Sequence, residues 1–241
     1  MPAKARLFHS RTGRPPRRAS ASRKGAYLLI GLVLVPSCLA AAYSTVWQII
    51  HSGDFRETIV FFIIGFASYL TFFLAFGKPV RAYIVGHELT HAFWVFLFRG
   101  KVREIRLSGK RGQIKATKGN VLIALAPYFF PLYTILLIAA YLVASLWINF
   151  GHYRRLVIFA IGFTWSFHLL LNLFVLPRGQ EDLRVSGSFF SLVVIFLFNV
   201  VVLGLIMAFV SEGITVRSYL SRLTHDLARF YTGIVRAMGI G

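Results

Sequence analysis

The stretch His87 to His91 reads HELTH, two histidines four residues apart with Glu88 directly after the first. On a helix, residues i and i+4 lie one turn apart on one face, so both imidazoles can reach a single cation. Neutral imidazole is a ready ligand for Zn²⁺. A carboxylate next to the first ligand is placed as general base for water that the metal activates. The pattern therefore points to metal-assisted hydrolysis. The competing reading is a pair of buried histidines, hydrogen-bonded to neighbours around a lone glutamate. It is disfavoured because nothing obvious nearby in the sequence balances that glutamate.

A catalytic zinc takes a third protein ligand, and the chain holds only eight acids. Asp54 and Glu57 fall in a short loop one segment upstream, Glu104 in a basic stretch, and Glu212 and Asp226 towards the C-terminus. Glu181 and Asp182 remain, just after an apolar segment that ends NLFVLP at Pro177. Among histidines the rival is His168, which shares a helix face with Asn172; hydrogen bonding between helices accounts for that pair as well. The residue types leave Asp182, Glu181 and His168 open, with Asp182 favoured. The single cysteine, Cys38, excludes a disulfide framework and a cysteine-ligated zinc site.

The surroundings of the motif are apolar. Hydrophobic residues make up 57% of the 241-residue chain and charged residues 15%, more apolar surface than a domain of this size can hide from water. Runs long enough to cross about 30 Å of hydrocarbon occur at Ala26–Ile50, Thr58–Phe76, Val121–Leu146, Leu156–Leu176 and Ser188–Val210. A shorter one, Tyr83–Phe98, carries the three ionisable residues of the motif, and such residues in a membrane segment are a functional hypothesis by default. The expected fold class is an all-α polytopic membrane protein of five to six transmembrane helices. A small β-hairpin follows the metal-binding helix: alternation over Lys101–Leu107, a turn over Ser108–Gly112 and a returning strand over Gln113–Thr117.

Three segments divide the chain. Residues 1–25 hold eight Lys/Arg and no acid, which reads as a disordered basic tail; an organellar transit peptide has a similar composition. Residues 26–210 form the transmembrane domain. Residues 211–241 read as an amphipathic helix, interfacial or on a surface, with Val216, Leu220, Leu223, Leu227 and Ile234 at helical spacing and arginines between them.

The stretch HELTHAFWVFLFRGKVREIRLSGKRG resembles the metal-binding helix and following hairpin of the site-2 protease family, the intramembrane zinc metalloproteases. The sequence ALAP ending at Pro127 is similar to that family's small-residue-plus-proline helix start. NLFVLPRGQEDL resembles its N-L-x-P…D-G segment. The resemblance covers about residues 83–187. Pro177 follows Asn172 by five residues and Asp182 by ten, both later than the usual spacing, and Leu183 stands where a glycine is expected. The resemblance implies Zn²⁺ as cofactor, His87, His91 and Asp182 as its ligands, Glu88 as catalytic base, and Asn172 as a residue that positions the substrate strand. The expected substrate is a transmembrane protein.

Charge distribution bears on topology. The 27 Lys+Arg outnumber the 8 Asp+Glu, a formal net charge of +19. Because the basic residues lie between apolar runs, the expected partners are anionic lipid head groups and not nucleic acid. With the N-terminus inside and six full crossings, loop Lys/Arg divide 16 inside to 11 outside. If Tyr83–Phe98 dips in and returns, the division becomes 20 to 7, and both histidines and Asp182 approach from one side. The second arrangement satisfies the positive-inside rule, giving a multi-pass protein of the cell membrane with a cytoplasmic N-terminus. Two other readings stand beside the protease: a zinc protease whose third ligand is a glutamate, Glu181 or Glu212, and a catalytically inactive membrane scaffold or regulator of the same fold.

Overall fold

The computed structural model describes residues 21–108, 111–148, 151–178 and 181–239. The basic tail lies outside the described residues as far as Ser20; Ala21–Gly25 belong to the first helix. Four helices are long and apolar enough to cross a membrane: α1 (Ala21–Ile50), α2 (Phe55–Ala75), α6 (Arg154–Val175) and α8 (Ser188–Val210). A bent pair, α4 (Val121–Phe129) and α5 (Leu132–Ala144), makes a fifth if it counts as one span. The described residues are therefore mostly helical, with one two-stranded sheet among them. The chain divides into two compact units.

The unit formed by residues 61–186 carries the motif. Its helix α3 (Val80–Leu97) buries His87, Glu88 and His91 and exposes Leu89, Phe93 and Phe96, the reverse of a water-soluble amphipathic helix. It ends in a Schellman turn. Arg99 takes a left-handed φ of 55°, its amide donates to Phe96 O, and the Gly100 amide donates to Val95 O, each at 2.8 Å. That turn releases the chain into β1 (Val102–Ser108), which pairs antiparallel with β2 (Arg111–Ala116) in the register Ile105↔Ile114 and Leu107↔Gly112. The hairpin expected from alternation is present. Period-two patterning places Gly112 and Ile114 on its buried face.

The long span expected at Val121–Leu146 is instead broken. Helix α4 is capped by Asn120, whose side chain accepts from the Ile123 amide at 2.8 Å. It stops at Phe130, which precedes Pro131 and takes extended backbone (φ −102°, ψ 101°). The residue before a proline is pushed out of helical geometry by the pyrrolidine ring, and α5 starts afresh at an angle of 71° to α4. Helices α2 and α6 approach closely through glycines: a Cβ on Gly65 would collide with the Phe159 carbonyl, and one on Gly162 with the Phe62 carbonyl. After α6, a single 3₁₀ turn (Leu176–Arg178) leads to the four-residue helix α7 (Glu181–Arg184).

The second unit comprises residues 21–60 and 187–241, with α1, α8 and α9 (Val216–Ala237). Helix α9 begins in a reciprocal capping box between Thr215 and Ser218. It is amphipathic, as its sequence indicates, and docks on α1 through polar contacts. Ser44 donates to the buried Asp226 carboxylate at 2.8 Å, Thr45 and Tyr219 hydroxyls meet at 3.0 Å, and Gln48 donates to Ser218 at 3.1 Å. The Arg222 guanidinium stacks on the Trp47 ring, 3.2 Å from its centroid.

Candidate metal centre

Helical spacing on α3 brings His87 and His91 together: their Nε2 atoms lie 3.2 Å apart. Asp182, from α7, completes the group. Its Oδ2 lies 3.6 Å from His87 Nε2 and 3.8 Å from His91 Nε2. All three side chains are buried. Two imidazole nitrogens and a carboxylate oxygen facing one another at these distances repel unless a proton or cation sits among them. A tetrahedral ion with ligand bonds of about 2.0–2.1 Å holds its ligand atoms about 3.3–3.4 Å apart, close to the three separations found. The donor set, two histidines and one carboxylate, suits zinc and leaves a fourth position for water or substrate.

The tautomer of His91 follows from its other ring nitrogen. Nδ1 lies 2.8 Å from the Ile123 carbonyl, which can only accept, so Nδ1 carries the hydrogen and a neutral ring presents a bare Nε2 to the cation. The Ile123 carbonyl is available because of Pro127. Four residues further along α4, where an amide would ordinarily donate to Ile123, proline has none. Two prolines, Pro127 and Pro131, stand in this segment. One of them supplies the acceptor that orients a histidine.

Asp182 is held by Tyr128, whose hydroxyl donates to Oδ2 at 3.1 Å. Asn172 is buried and committed within the protein. Its Oδ1 accepts from the Tyr83 hydroxyl at 3.0 Å, and its Nδ2 donates to the Tyr128 carbonyl at 3.1 Å and approaches His168 Nε2 at 3.2 Å. Asn172 thus makes the expected hydrogen bonds between helices, to Tyr83 and Tyr128, whereas His168 meets Asn172 within α6 and stands outside the metal-capable group found among the described residues. The Glu181 side chain is not among the described ones. Glu212 belongs to the other unit, where its amide accepts the company of Asp54 by donating to Oδ2 at 3.0 Å.

Glu88 is buried on α3, and among the described residues its Oε2 and the His87 Nδ1 meet no protein hydrogen-bond partner. Both are what a site that takes up water presents, since buried polar atoms otherwise find partners. A small open cleft, with room for water-sized molecules, reaches His87 between Tyr83, Thr90, Phe130, Tyr133 and His168. Outside the apolar segments, Glu104 on β1 receives hydrogen bonds from Lys115 at 2.7 Å and from Arg106, which hold its carboxyl below the usual carboxylate range.

Tyr128, Ile123 and Gly112 escaped the sequence reading. The backbone acceptor was recoverable, since a proline inside a helix frees the carbonyl four residues earlier. Nothing in the sequence singles out Tyr128 from the neighbouring aromatics. Comparison with protein-family models, curated proteins and solved structures gives no match, so the chemistry rests on the atoms of the site.

Proposed function

We propose that this chain is an intramembrane zinc metalloprotease of the site-2 protease type, hydrolysing peptide bonds in membrane-spanning substrates. One observation carries the reading: the convergence of His87, His91 and Asp182 beside the buried Glu88. His87, His91 and Asp182 would hold the ion. When bound, zinc supplies Lewis acidity, polarising the scissile carbonyl and making water acidic enough to ionise near neutral pH.

The remaining work falls to side chains and backbone. Glu88 accepts a proton from the attacking water as the C–O bond forms. It delivers that proton to the amide nitrogen as the C–N bond breaks, so the leaving strand departs as a neutral amine. A helical span hides its carbonyls, so the substrate must unwind locally. The hairpin, with Ile105 and Leu107 exposed on β1, offers strand edges to which an extended segment can add. The cleft at His87 supplies a route for water. The buried amide of Asn172 ties Tyr83, Tyr128 and His168 together, so its contribution to substrate placement acts through those residues. The four to five spans lie in the cell membrane with the N-terminus inside, and the basic loops meet anionic lipid head groups.

The test is the metal content of the purified full-length protein, followed by comparison of membrane-protein fragments in cells carrying wild type or Glu88→Gln. About one zinc per chain, lost in His87→Ala and Asp182→Ala and kept in Glu88→Gln, with fragments only in wild type, is the expected result. No zinc in a folded, zinc-supplemented wild type overturns the reading. Zinc without any difference between wild type and Glu88→Gln would assign the chain to an inactive scaffold of this architecture. Zinc retained in Asp182→Ala but lost in Glu181→Ala would assign the third ligand to a glutamate.

A further inference from the structure

Asp182 is the ligand with the weakest support from its own backbone. The two histidines stand on an 18-residue helix, whereas Asp182 stands on a helix of four residues, too short to hold its shape unaided. Something outside α7 has to aim the carboxylate. Tyr128 has that contact: it is fully buried, and its hydroxyl donates to Oδ2, the oxygen that faces both histidines. A carboxylate oxygen has two lone pairs, so Oδ2 can accept from the phenol and still offer one to a cation.

Tyr128 is itself fixed from two further directions. Its ring stands edge-on to the His87 ring at 5.3 Å, with an interplanar angle of 83°. Its backbone carbonyl accepts from Asn172 Nδ2 at 3.1 Å. One residue thus touches a histidine ligand, the carboxylate ligand and the α6 residue bonded to Tyr83. We propose that Tyr128 is the positioning residue for the third ligand: its hydroxyl aims Asp182 Oδ2 at the His87–His91 pair and sets the affinity of the site. This rests on the metal reading above.

The experiment is a zinc titration of the full chain in detergent, in competition with a chromophoric chelator, for wild type, Tyr128→Phe, Asp182→Ala and the double variant. Tyr128→Phe removes one oxygen from an otherwise equal ring. Loss of a hydrogen bond that orients a ligand weakens zinc binding by about 10–100-fold. In the Asp182→Ala background, where the two remaining histidines bind zinc too weakly to keep it through purification but still bind it in the titration, the same substitution should change affinity by less than about twofold, because the group it aims is gone. With cobalt in place of zinc, Tyr128→Phe should also alter the visible absorption that reports coordination geometry. A residue serving only to pack α4 would lower the thermal midpoint of the metal-free protein and weaken zinc equally in both backgrounds; that outcome overturns the proposal. So does an affinity within about twofold of wild type for Tyr128→Phe. If wild type binds no zinc at all, the metal reading falls and this inference falls with it, a result distinct from either of the others.

Discussion

Gly112 of the hairpin lies directly against Glu88: a Cβ built on Gly112 would stand 2.5 Å from both Cγ and Oε1 of the glutamate. Only a residue without a side chain lets the strand come this close to the glutamate. The hairpin is thereby part of the wall of the site, besides the edge it would offer to a substrate in the proposed function. Gly112→Ala must move either the strand or the carboxylate. Displacing a catalytic group by about 1 Å costs about 100-fold in rate. We expect cleavage of the substrates identified with Glu88→Gln to fall by about that factor while zinc content stays at the wild-type level.

Pro127→Ala restores an amide that competes with His91 Nδ1 for the Ile123 carbonyl. The α4 helix gains a hydrogen bond, and the imidazole loses part of the acceptor that holds its tautomer. Zinc affinity, measured by chelator competition, should weaken by about tenfold, with helicity by circular dichroism unchanged or raised. Unaltered affinity would show that the second lone pair of the carbonyl serves both donors.

Glu104 gives the hairpin a pH dependence of definite sign. Hydrogen bonds from Lys115 and Arg106 depress its folded pKa. Its contribution is therefore present above the pKa of the unfolded chain and is lost as pH falls through the lower folded value. Cross-strand nuclear Overhauser contacts between Ile105 and Ile114 should weaken as pH falls below the ordinary range of a glutamate. They should show no such change in Glu104→Gln, where the titrating carboxyl is absent.

Asp226 is the buried acid outside the site. Asp226→Ala strands the Ser44 hydroxyl and removes the carboxylate 3.3 Å from Arg222 Nε. A buried polar partner left unsatisfied costs about 1–3 kcal/mol. The expected outcome is a lower thermal midpoint and faster proteolysis of α9, with zinc content unaffected.

The sequence by itself determined the parts that local rules govern. The 3.6-residue repeat is enough to put His87 and His91 on one face of α3. Alternation is enough to indicate a hairpin over Lys101–Leu107 and Gln113–Thr117, although the second strand starts two residues earlier, at Arg111, and takes in Gly112 from the expected turn; apolar run length marks the four helices long enough to cross a membrane. Scarcity of acids narrowed the candidates for a third ligand to a few, and among the described side chains Asp182 is the one brought to the histidines. Tertiary structure decided what depends on residues far apart in the chain. It broke the run Val121–Leu146 at Phe130 and Pro131, where composition alone reads a continuous span because hydropathy is blind to the backbone that a proline imposes on the residue before it. It paired Asp182 with Tyr128, 54 positions away, and set Gly112 on Glu88. It turned α9 onto α1 around Asp226, which lies on the same helix face as the buried Tyr219 and Leu223 and finds its partner in Ser44, 182 positions away. A periodicity reports which side of an element a residue occupies. Which other element meets that side depends on how the whole chain closes its hydrogen bonds and fills its volume, and no spacing within one segment contains that information.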